Sequence, residues 1–192
     1  MLFLWLSGNL SPAARGPRVQ RSQGSPAAAS WTLTNHSKRT ALPPLNSSVS
    51  PRNMDTYHGT STKFAAVLAS GGVDVSHGGG ELGQGFYTGE HLYLAKAWSF
   101  QMTGDKRSNV VEFSKPDATV DALSIHLLDH GPAALKRKEL RRLGQTRTYQ
   151  FGVDMVWAPI VGNERISGDQ CKWESKVAES LLNGADCKRA II

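Results

Sequence analysis

The sequence predicts an α+β fold, and three observations predict it. Strand-like and helix-like runs are mixed along the chain, and they follow one another without a steady strand–helix–strand rhythm. The runs are short and punctuated by glycine and proline. Residues 1–50 show neither periodicity; they are rich in Ser, Ala, Pro and Arg and read as a disordered leader or linker. The expected division is residues 1–53 as leader and 54–192 as a single domain, long enough for a real core. Met54 stands directly before the first ordered-looking run, so translation starting there is one expectation.

Each element has a local reason. Thr56–His58 reads as a strand, and "STKFAAVLAS" as a short helix closed by Gly71-Gly72. "HGGGELGQG" is a glycine-dense loop, and Gly85–Thr88 a strand. Glu90–Thr103 carries helical spacing. "NVVEFS" is a strand, while "ATVDALSIHLLDHG" is apolar and fits either state. "PAALKRKELRRLG" opens with Pro and closes with Gly, which suits a helix whose basic run, Lys136–Arg142, is a solvated face. "FGVDMVWAPIVG" reads as a buried strand and "DQCKWE" as another. "SKVAESLLNG" follows as a helix that Gly184 could end.

Charge excludes more than it suggests. The net charge of +6 is carried by the leader, where Arg15, Arg18, Arg21, Lys38 and Arg39 meet no acid. Residues 51–192 hold 17 basic and 16 acidic side chains, so the domain is nearly neutral and lacks the electrostatic footprint of a nucleic-acid binder. Cys171 and Cys187 lack metal spacing and imply no disulfide framework, which points to a reducing compartment, cytoplasmic or nuclear. No run approaches the roughly 20 apolar residues needed to span a bilayer. The start lacks a basic segment, and its apolar run, Leu2–Leu6, is short for a signal peptide; a secreted effector remains an alternative.

The candidate chemistry sits in three places. In "YHGTS", His58 ends a strand, followed by Gly59, Thr60 and Ser61. A lone histidine is more often structural, but Gly59 lets backbone groups come close to a ligand. In "ELGQGFYTGEHLYLAKAW", Tyr87 stands beside Gly83 and Gly85, whose missing side chains would let a planar ring reach its face. Trp98 lies eleven residues on, either opposing Tyr87 or packing helix to sheet. In "DQCKWE", alternation sets Gln170, Lys172 and Glu174 on one face and Cys171 and Trp173 on the other. Glu174 could equally favour the helix N-terminus that follows. "HGGG" at 77–80 has no G-x-S-x-G partner, so a hydrolase triad is excluded. "GGGELGQG" opens a strand where a dinucleotide fingerprint would open a helix.

These motifs together resemble the catalytic core of the ADP-ribosyltransferases, in the branch with a His–Tyr–Glu triad that includes poly(ADP-ribose) polymerases and small bacterial proteins. The resemblance covers most of residues 55–185 and implies a split β-sheet core with flanking helices. It implies NAD as substrate, no metal, and transfer of ADP-ribose to a protein or nucleic-acid acceptor with release of nicotinamide, as in toxins or effectors. His58, Tyr87 and Glu174 would be catalytic. His58, Gly59, Thr60, Tyr87, Trp98 and Gln170 would bind NAD: His58 the adenine-side ribose, Gly59 the carboxamide, and Tyr87 and Trp98 the nicotinamide ring. The family more often has Tyr at the Trp98 position, and Glu179 is a second candidate for the acid. The alternatives are a module that binds NAD or ADP-ribose without turnover, an NAD glycohydrolase, and an RNA 2′-phosphotransferase, which would carry a different set of histidines and arginines.

Overall fold

A computed structural model describes residues 52–105, 109–163 and 165–192; the leader expectation, apart from its last two residues, lies outside them. The elements run β1 (Asn53–Gly59), α1 (Thr62–Ala69), β2 (Phe86–Gly89), α2 (Leu92–Thr103), β3 (Val110–Pro116), α3 (Asp117–Asp121), β4 (Ile125–Leu127), α4 (His130–Arg142), β5 (Met155–Pro159), β6 (Asp169–Trp173), α5 (Lys176–Asn183) and β7 (Lys188–Ile191). The strands form one mixed sheet in the order β4-β5-β6-β2-β1-β3-β7. Only the β4–β5 pair is parallel. The α+β expectation therefore holds.

Most predicted elements are found within a residue or two. The ambiguous apolar stretch divides into α3 and β4, and β7 has no counterpart in the sequence reading. β1 begins at Asn53, and the Arg52 carbonyl accepts from Asp117 N at 3.0 Å. Gly184 does not close α5 as a left-handed cap, since its φ is −71°. Arg189 Nη1 supplies the missing donor instead, to the carbonyls of Leu182 at 2.8 Å and Gly184 at 2.9 Å, which suits a cation at a helix C-terminus.

Alternation along the strands sorts the side chains into two faces. One face carries Phe86, Val111, Phe113, Met155, Cys171 and Trp173, packed beneath α1, α3 and α5 through Ala65, Leu68, Val120, Ala178 and Leu182. The other carries Val156 and Ala158 against Leu82 and Ala133 of α4. On this second face a Cβ at Gly59 would lie 2.0 Å from the Ala95 carbonyl oxygen, so only glycine lets α2 seat on β1.

The first core holds one unusual group. Lys115 is fully buried. Its Nζ donates to Thr56 Oγ1 at 2.9 Å, the Phe113 carbonyl at 3.1 Å and the Met54 carbonyl at 3.5 Å, and it lies 5.0 Å from the Trp173 ring centroid. None of these partners is a carboxylate. Burial, which penalises the ammonium, lowers its pKa to about 8. Both cysteines are buried free thiols, and burial pushes Cys171 up to about 12.

The lysine gives a pH signature. The unfolded chain holds this proton up to about pH 10.5 and the folded chain only to about 8, so the unfolded state binds more protons between them and stability rises with pH. Relative to Lys115→Met, wild-type protein is expected to gain stability on denaturant titration between about pH 8 and 10, a comparison in which the buried thiols of Cys171 and Cys187, common to both chains, cancel. Lys115→Met should lose that gain; an identical pH slope in the variant would show that Lys115 stays charged in the fold.

Candidate functional site

The three motifs, far apart in sequence, come to neighbouring strands at the middle of the sheet: His58 on β1, Tyr87 on β2 and Gln170 on β6, with Glu174 just past the β6 end. β1 and β2 meet at a single register pair, Tyr57 with Gly89. A side-chain bond reinforces this seam. His58 Nδ1 lies 2.6 Å from the Tyr87 carbonyl oxygen; a carbonyl can only accept, so Nδ1 carries the proton. Burial lowers the His58 pKa, so the imidazole is neutral and its Nε2 is an acceptor.

The register also divides the candidates. Continuing from Tyr57–Gly89, it sets His58 against Thr88, on the first face, where the imidazole stacks on Phe86 at 4.6 Å. Tyr87 is opposite Lys172, and Gly89 opposite Gln170, on the second face. The structure thus gathers Tyr87, Gln170 and Glu174 on one side, while His58 joins them through a backbone carbonyl.

Tyr87 is fixed at both ends. Its hydroxyl donates to the Gly83 carbonyl at 2.8 Å and accepts from Leu82 N at 3.2 Å, and burial raises its pKa. Gly80 lies flat on the ring, since a Cβ there would be 2.9 Å from Cζ. The reason for the glycines is therefore different from the sequence expectation. At Gly83, φ is +104° and a Cβ would sit 2.3 Å from the Tyr149 carbonyl oxygen; at Gly85 a Cβ would sit 2.8 Å from Lys172 Cγ and the Trp173 carbonyl oxygen. Their open sides are filled by protein, and the glycine that exposes the Tyr87 ring to a close neighbour is Gly80.

Trp98 is 40% exposed. It stands one turn beyond Ala95 on α2 and makes no ring contact with Tyr87. It is neither buried in helix-to-sheet packing nor opposed to Tyr87. Thr60 is held through its backbone: N donates to the Asn109 carbonyl at 2.9 Å, and its carbonyl accepts from Ser99 Oγ at 2.7 Å.

Glu174 is buried. Oε1 accepts from Val153 N at 3.1 Å, and Oε2 pairs with Lys172 Nζ. Burial lowers the Lys172 pKa, and the bond to Glu174 opposes that shift. The capping role goes to Ser175, whose Oγ accepts from Ala178 N at 3.0 Å, so Glu174 does not serve the helix. Glu174 lines a cleft of about 300 Å³ together with Gln150, Val153 and Asp154, and none of His58, Tyr87 or Trp98 reaches it. Glu179 has other work: Oε2 accepts from Val75 N at 3.0 Å, and Oε1 pairs with Lys176 at 2.8 Å.

Two charged residues of this face were not singled out in the sequence. Glu81 Oε2 accepts from Val161 N at 2.9 Å and Gln170 Nε2 at 3.1 Å, and its Oε1 lies 3.8 Å from Arg137 Nε. Arg137 belongs to the run expected to be a solvated face, yet its side chain is only 18% exposed. The correction follows from α4 docking Ala133 and Leu140, which turns the intervening Arg137 toward the sheet. Among the described residues no group of three His, Cys, Asp or Glu could hold a metal ion, and no helix is long and apolar enough to cross a membrane.

Gly83→Ala is expected to destabilise by about 2 kcal/mol or more, since it combines a left-handed backbone with a backbone clash. Urea unfolding measures it, and a loss under about 0.5 kcal/mol would mean that loop 77–85 adapts freely. No protein-family model matches this chain, and no curated protein matches it.

Proposed function

We propose that the chain transfers ADP-ribose from NAD to a macromolecular acceptor, releasing nicotinamide, on an ADP-ribosyltransferase-like split sheet. The observation that carries this reading is the seam. His58, Tyr87 and the Gln170–Glu174 strand lie on β1, β2 and β6, adjacent in the sheet, with β1 and β2 joined by one register pair and the His58–Tyr87 bond. Neutral His58 offers Nε2 as an acceptor for a ribose hydroxyl. Tyr87 and exposed Trp98 offer aromatic surface for nicotinamide. Glu174 would favour the positive charge that grows on the ribose as nicotinamide leaves. The reaction depends on holding NAD and acceptor in orientation.

One observation favours a second reading, a module that binds NAD or ADP-ribose without turnover. Both Glu174 oxygens are already engaged, by Val153 N and Lys172 Nζ, and the carboxylate is on the other face from the His58 ring.

Labelled NAD, incubated with the protein and a cell lysate, separates the readings. Transfer labels a macromolecule; hydrolysis yields free ADP-ribose; binding alone leaves NAD intact, and that result sinks the enzyme reading. Within the enzyme reading, Glu174→Gln should lower turnover by about a hundredfold while changing NAD affinity less than about tenfold, because charge matters most in the transition state. Glu179→Gln should leave turnover nearly unchanged. Trp98→Ala should weaken NAD binding by roughly 1–2 kcal/mol, and unchanged affinity in a folded variant would remove Trp98 from the site.

A further inference from the structure

At the outer end of the sheet, where β4 and β5 finish and β6 begins, lies a cleft of about 390 Å³. Its walls include Leu127, Trp157 and Pro159, and Asp129 and Asp169 belong to its lining. Leu127 is 70% exposed and Trp157 only partly buried, an unusual amount of apolar surface to leave open. The register explains the grouping: Leu127 pairs with Trp157, and Pro159 with Asp169, so these side chains project to one side.

Among the described residues neither Asp129 nor Asp169 forms an ion pair or side-chain hydrogen bond, although Asp129 is the N-cap residue of α4. His130, which also lines the cleft, pairs with neither. Acidity continues to Glu90, whose backbone N donates to the Asp169 carbonyl at 3.4 Å. Its carboxyl is pushed up by burial first and by the Asp169 charge second. An apolar cleft with an indole wall and unneutralised carboxylates is complementary to a cation on an apolar stem. A guanidinium fits better than an ammonium, because its plane stacks on an indole while its N–H fork reaches carboxylates.

We propose that this cleft binds an arginine side chain of a basic peptide, with Trp157 and Leu127 taking the stem and guanidinium face and Asp129 and Asp169 the charge. The site stands apart from the NAD reading and does not need it.

The test is fluorescence anisotropy of the full chain with a fluorescein-labelled glycine peptide carrying two arginines. The same peptide carrying citrulline, equal in shape but neutral, is the control. The arginine peptide is expected to bind about tenfold tighter than the citrulline peptide, and Asp169→Asn to weaken it about fivefold. Asp129→Asn with Asp169→Asn should erase the preference for arginine; Asp129 is exposed and Asp169 partly buried, and circular dichroism checks that the double variant is folded. Equal binding of the two peptides, arginine binding that persists in the folded double variant, or no binding at millimolar peptide overturns the proposal. A lysine peptide that binds as tightly as the arginine peptide overturns the assignment to guanidinium.

Discussion

The seam between β1 and β2 is the constraint on which the rest depends. A seven-stranded sheet held at its middle by one register pair could separate into β4-β5-β6-β2 and β1-β3-β7. Two contacts prevent it. The His58 Nδ1–H bond to the Tyr87 carbonyl satisfies an acceptor that a full ladder would otherwise use. α2, leaving β2 almost directly, lies back on β1 through Gly59. Because β2 is only four residues long and β1 ends at Gly59, backbone polar groups near the seam are open to something other than a neighbouring strand. A sheet that pairs thinly at its centre is where a ligand can meet backbone.

The second face answers a different demand, that of burying polar side chains. Lys172 is fully buried with Glu174 as its carboxylate, and such a pair does little for stability because desolvation offsets most of the attraction. It persists with hydrogen bonds around it: Val153 N on the carboxylate and the Tyr149 carbonyl on the ammonium, with the Phe151 ring 4.9 Å away. Glu81 ties the glycine loop, Gln170 and Arg137 together in the same way. What these bonds contribute is placement. They hold the loop 80–83, and so Tyr87, against the sheet at a defined position.

How much was legible follows from which contacts are local. Alternation in "DQCKWE" placed Lys172 and Glu174 opposite Cys171 and Trp173, as the structure has them, because a strand's period is local. Helices α1, α2, α4 and α5 were legible from spacing, whereas α3 lay in a stretch that fitted either state. The glycines were not. Gly59, Gly83 and Gly85 are required by Ala95, Tyr149 and Lys172–Trp173, partners 36 to 88 residues away that no window of sequence shows. Arg137 was hidden for the same reason, since its run looks solvated until α4 is docked. β7 is a four-residue edge strand with three of its residues exposed, so it carries no buried face to read.

The engaged carboxylate of Glu174 bears on both functional readings, and counting its bonds limits the objection to turnover. An ionised carboxylate offers about four acceptor positions. Val153 N uses one on Oε1 and Lys172 Nζ one on Oε2. One position on each oxygen is left, and the cleft that Glu174 lines lies beside it. A carboxylate held rigidly by two donors needs no reorganisation to face a developing charge, which is where electrostatic stabilisation is most effective. Lys172 works against this, since its positive charge partly cancels the field that a cationic ribose would feel. Burial lowers its pKa, and the bond to Glu174 opposes that shift. In the proposed reaction, the Lys172–Glu174 pair, more than Glu174 alone, would set whether NAD is held or cleaved.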